Sequence, residues 1–147
     1  MEFELDFLGG TGPSDLEITL SGVPTEHGFR LLHERLVPDP RFRAGLTIVV
    51  DMTALDTSGL SDHELEQITR PIVERDWDYP PAAVAIIAPD SQSHNVVQSY
   101  RAHLGGSSSN RHLFTSRTDA VAWLEEQAAA GRRSRAASHV AVAETAP

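Results

Sequence analysis

Residues 47–65, TIVVDMTALDTSGLSDHEL, constrain this chain more than any other stretch. The apolar, β-branched run from Leu46 to Met52 suits a central strand buried on both faces, with Asp51 at its end. A short polar loop follows, Asp56-Thr57-Ser58-Gly59. Ser61-Asp62-His63-Glu64 then has the form of a capping box, whose serine hydroxyl and glutamate carboxylate satisfy free backbone donors reciprocally. Strand, loop and capped helix in that order call for a sheet protein. The loop between them is placed to carry a regulatory serine or a small binding site.

The rest of the chain fits around that unit. Phe3, Leu5 and Phe7 alternate with acids, Leu16, Ile18 and Leu20 repeat the pattern, and a Gly- and Pro-rich connector lies between. Two half-buried strands in an N-terminal hairpin are predicted. Thr25 caps a helix lined by Phe29, Leu32 and Leu36, which Pro38-Asp39-Pro40 stops. The helix after Ser61 turns Leu65, Ile68 and Ile72 inward, and Pro71 is expected to kink or divide it. Residues 82–88 read as a second buried strand, followed by a helix with Val96, Val97, Tyr100 and Leu104 on one side. Residues 105–110 form a linker and residues 112–114 a short strand. Ser116 caps a last helix packed through Ala120, Trp123, Leu124 and Gln127.

The order β-β-α-β-α-β-α-β-α describes an α/β domain: a mostly parallel sheet with an N-terminal antiparallel hairpin and about four helices. That domain is expected over residues 1–130. From Gly131 the chain is Arg, Ala and Ser without periodicity, so residues 131–147 are expected to be a disordered tail.

Composition narrows the function. A chain of 147 residues can bury a core as one domain, and with no cysteine it has neither disulfides nor thiolate chemistry. The net charge of −9 argues against nucleic acid, whose phosphates need clustered cations. All twelve basic residues are Arg, and Arg132, Arg133 and Arg135 crowd near the C-terminus. No apolar run approaches the roughly 20 residues of a membrane span, so stable membrane insertion is not expected. Acids in the first residues are unlike a secretory signal, and a cytoplasmic location is the expectation.

The segment from Asp39-Pro40-Arg41-Phe42 through Gly45 and Thr47–Met52 resembles the "dP.F..G…lvDl" signature of STAS-like proteins, more narrowly of the SpoIIAA-like group. Val84 to Asp90, Tyr100, His112-Leu113-Phe114 and Ala120 to Leu124 fall in matching order, so the resemblance covers residues 16–127. It implies the fold of anti-sigma factor antagonists, a fold also compared with SEC14-type lipid carriers. Asp56-Thr57-Ser58-Gly59-Leu60 is similar to the D-S-S-G-L loop of those antagonists, though on a shorter loop. By that match Ser58, with Thr57 beside it, is the candidate phosphoacceptor. The alternative is that these are turn and cap residues, a role that Asp, Thr, Ser and Gly all favour.

Other constellations are weaker. Asp51 and Asp90 both stand where parallel strands should end, and would either cap turns or serve acid–base or cation chemistry. The seven histidines include no H-x-x-x-H spacing, and no G-x-S-x-G elbow is present, so no metal, cofactor or catalytic residue is assigned. The sequence reading is therefore a non-enzymatic STAS-like regulatory or protein-interaction module, with partner switching as one form of it. Its interaction loop comprises Asp51, Asp56, Ser58, Gly59 and Ser61, and its partner is another protein or a second copy of the chain. The alternative is a carrier or sensor of a small apolar, lipid-like ligand, held by Phe29, Leu32, Leu36, Val96, Val97 and Tyr100 between helices and sheet.

Overall fold

A computed structural model describes residues 1–9, 11–74, 79–88 and 110–145. Its elements are β1 (Glu2–Phe7), β2 (Leu16–Gly22), α1 (Glu26–Leu36), β3 (Thr47–Leu55), α2 (Asp62–Glu74), β4 (Ala83–Ile87), β5 (Asn110–Phe114) and α3 (Arg117–Thr145). The strands form one five-stranded sheet in the order β1-β2-β3-β4-β5. β1 and β2 are antiparallel, with Phe3 opposite Leu20 and Leu5 opposite Ile18. The remaining pairs are parallel. An α/β architecture with an N-terminal hairpin at one edge is thus what the alternation patterns predicted.

Strand order determines where the helices go. The connections β2-α1-β3 and β3-α2-β4 step across the sheet in the same direction, and right-handed crossovers then place both helices on one face. α1 and α2 accordingly pack against each other, while α3 lies against β3, β4 and β5. On the α1/α2 face, Leu16, Ile18, Leu20, Ile48 and Met52 meet Phe29, Leu36 and Leu65. On the α3 face, Val49, Ala85 and Ile87 meet Ala120 and Leu124. β3 and β4 supply both cores, which is why their sequences are continuously apolar. β1 supplies only one: Phe3, Leu5 and Phe7 turn inward, whereas Glu2, Glu4 and Asp6 are exposed on the other side.

Two expectations are corrected, and others fall outside the described residues. β3 does not stop at Met52 but runs to Leu55, because β2 continues beside it until Gly22 stands opposite Leu55. α2 runs through Pro71 undivided, since Pro71 falls in its last turn and forgoes a single backbone hydrogen bond. The backbone of α3 continues past Gly131 to Thr145. Ala and Arg are strong helix formers, so a helix there needs no amphipathic period. The helix expected around Val96, Val97 and Tyr100, and the linker after it, lie outside the described residues. No helix among the described residues is long and apolar enough to cross a membrane.

Candidate functional site

The loop from Asp56 to Ser61 is fixed at both ends. At its start, Asp56 N–H donates to the Gly22 carbonyl over 2.9 Å. Gly22 has φ +79°, a conformation costly for any residue with a Cβ, and this aims its carbonyl across to β3. The Asp56 carboxylate then accepts the Ser58 N–H at 3.0 Å and the Ser58 hydroxyl at 2.7 Å. These two donors hold the Asp56 carboxyl below the usual carboxylate range. At the far end, Glu64 N–H donates to Ser61 Oγ at 3.2 Å and Ser61 N–H to Glu64 Oε1 at 3.5 Å, the reciprocal pair of a capping box, and the Ser61 hydroxyl also donates to Glu64 Oε1 at 3.0 Å.

Accessibility separates the two candidate hydroxyls. Ser58 and Gly59 are exposed, and a Cβ built on Gly59 would meet nothing within 4 Å. Thr57 is only 4% exposed. The Ser58 side chain is thus open to solvent, whereas that of Thr57 is enclosed by the fold. Ser61 is exposed too, although its hydroxyl is committed to the helix start.

Asp51 does not join this loop. It lies in the interior of β3, about 16 Å of strand before Asp56 at roughly 3.3 Å per residue, on the face that carries α3. Its carboxylate accepts the Thr53 N–H at 2.9 Å, the Thr53 hydroxyl, and Arg117 Nη2 at 2.8 Å. The same Nη2 donates to Glu17 on β2 at 2.6 Å. Burial pushes the Asp51 carboxyl up, but the Thr53 donors and the Arg117 guanidinium together outweigh it and leave it below the usual range. Hydrogen bonding to Glu17, then to Asp51, raises Arg117 in turn, against partial burial. A carboxylate held by three donors is a fastener joining α3 to β2 and β3. Its suggested companion, Asp90, lies outside the described residues.

The sequence gives little sign of this triad, because its members are 66 and 100 residues apart. The only local clue is that Arg117 opens a helix, where a cation opposes the helix dipole and is better explained by a partner elsewhere. A second long-range pairing joins α1 to the segment before β4. His33 is 9% exposed, and its Nδ1 lies 3.0 Å from the Tyr79 hydroxyl with the two rings edge to face. Phe42 meets Tyr79 in the same manner.

Of the residues suggested for an apolar ligand, Phe29 and Leu36 are buried in the α1/α2 core and Leu32 packs beside them. Val96, Val97 and Tyr100 lie outside the described residues. Among the described residues, no three His, Cys, Asp or Glu side chains gather to hold a metal ion. Compared with protein-family models, curated proteins and solved structures, the chain matches none.

Proposed function

We propose that this chain is a non-enzymatic, STAS-like regulatory module that works through the Asp56–Ser61 loop, with Ser58 as the acceptor of a phosphoryl group. One observation carries the reading: Ser58 is exposed while its hydroxyl and N–H both close the turn onto Asp56. A partner kinase transfers the γ-phosphoryl group of ATP: the Ser58 Oγ–P bond forms as the bond from the γ-phosphorus to the bridging oxygen breaks, ADP leaves, and the serine proton passes to a base of the kinase. The donor to Asp56 is then gone, and a group of charge near −2 stands beside a carboxylate. Repulsion between the two groups opens the turn. A partner that reads the closed turn would therefore release it, which is a switch in binding without catalysis by this chain. Its partner is another protein or a second copy.

The test is to incubate the purified chain with cell extract and ATP and to map modified sites. Phosphate on Ser58, and loss of partner capture by the Ser58→Asp variant, are expected. Modification confined to other residues, or a Ser58→Asp variant that retains every partner, would remove the basis for this reading.

A further inference from the structure

The end of the sheet opposite the Ser58 loop holds a cavity of about 660 Å³. It lies at the amino ends of the parallel strands, walled by the turn before β2, the starts of β3, β4 and β5, and the middle of α3. Its size falls within the roughly 300–1,000 Å³ typical of small-molecule sites. Two features of its wall mark it as more than a packing gap.

The first is Ser14, which is 2% exposed and whose hydroxyl has no hydrogen-bond partner among the described residues. An unpaired buried hydroxyl is destabilising, and Ser14 belongs to the turn that walls the cavity. The second is the arrangement of charge. Glu125 and Arg132 both line the cavity and are seven residues apart, so they share one flank of α3 about 10.5 Å apart along its axis. Neither has an ion-pair partner among the described residues. Across from the helix, Asp15 uses Oδ2 to accept the Thr47 N–H and hydroxyl, and Oδ1 remains available. Leu46 and Ala128 supply apolar wall between these groups.

We propose that this cavity binds a small zwitterion of dipeptide size, its ammonium toward Glu125 and Asp15 and its carboxylate toward Arg132. Among the described residues of the wall a single cation stands with two carboxylates, a net negative charge that disfavours a simple anion. The two-turn spacing of the helix charges selects for length. The ends of a free α-amino acid are too close together to meet both, whereas two extended residues span about 7 Å and the side chains bridge the rest. The guanidinium recognises a terminal carboxylate through paired N–H donors.

Calorimetric titration and thermal melting of the full chain test this with L-alanyl-L-alanine, its N-acetyl derivative and its C-terminal amide. The free dipeptide is expected to bind and raise the melting temperature, with each blocked derivative about tenfold or more weaker. Arg132 is exposed and has no ion-pair partner among the described residues, so Arg132→Gln is expected to fold normally and to abolish the preference for the free carboxylate over the amide. No heat or melting shift with the dipeptide at about 10 mM would overturn the proposal, since that is weaker than useful recognition. Equal binding of all three compounds, or an Arg132→Gln variant that keeps the preference, would overturn it as well. Ser58 lies at the other end of the sheet, so the outcome is independent of the switch.

Discussion

On one face of the sheet, α1 and α2 cover a core to which β1, β2, β3 and β4 all contribute, and Leu16, Leu20 and Ile48 are at most 3% exposed within it. On the other face a single helix covers a smaller cluster. Ala120 and Leu124 of α3 sit over Val49, Ala85 and Ile87, and the Arg117 bridge to Glu17 and Asp51 fastens the end of the helix. The first face is held mainly by apolar area, with the His33–Tyr79 contact at its margin. The second is held by a few apolar side chains and a charge-assisted fastening, so it should respond to salt and acid in ways the first does not.

The largest expected effect attacks the smaller core. Leu124 is fully buried, so Leu124→Ala should cost about 2–5 kcal/mol in urea denaturation, by lost transfer energy and the cavity left behind. If the α3 face opens as a separate unit, hydrogen exchange will show the protection of α1 and α2 surviving this change while that of α3 is lost. Next comes the helix start: Ser61→Ala removes the cap of α2 and should cost about 1 kcal/mol, with restoration by Ser61→Asp.

Arg117→Ala should cost about 1 kcal/mol or less, because the guanidinium is 45% exposed and solvent screens its pairs. Raising ionic strength should shrink the difference from wild type. The acid dependence has a definite sign. Asp51 titrates lower in the folded state than in the unfolded chain, so its contribution is complete above the unfolded value near pH 4 and fades as pH falls through the folded value. Asp51→Asn should flatten the stability–pH curve in that acidic window and leave the slope above about pH 5 unchanged. Ser58→Ala should be the quietest variant, within about 0.5 kcal/mol of wild type, since its side chain is exposed. A larger loss would mean that the turn onto Asp56 supports the whole β3–α2 junction.

These contrasts mirror what the sequence made legible. Local rules carried the hairpin of β1 and β2, the caps at Thr25, Ser61 and Ser116, and the doubly buried strands β3 and β4. Each depends on residues within a few positions of one another. The length of β3 was not legible, because its last residues pair with the end of β2, and the apolar run in the sequence fades before that pairing ends. The Arg117 triad and the His33–Tyr79 contact were not legible for the same reason: neither leaves a periodic trace. Within the candidate site, the Asp56–Ser58 turn was visible as a composition of turn residues. That Ser58 is accessible and Thr57 is not depends on how the loop lies against the fold.

The alternation along β1 has a consequence for how copies of this chain meet. β1 is the outermost strand of the sheet, and an edge strand is a template for another chain. Two copies joined antiparallel through β1, centred on Glu4, would set Glu2 beside Asp6 and Glu4 beside Glu4 on a single face. Like charges directly opposite one another are destabilising, and here every pair on that face is alike. The hairpin thus guards its own border: crowding favours aggregation through this edge only once high salt has screened the three carboxylates.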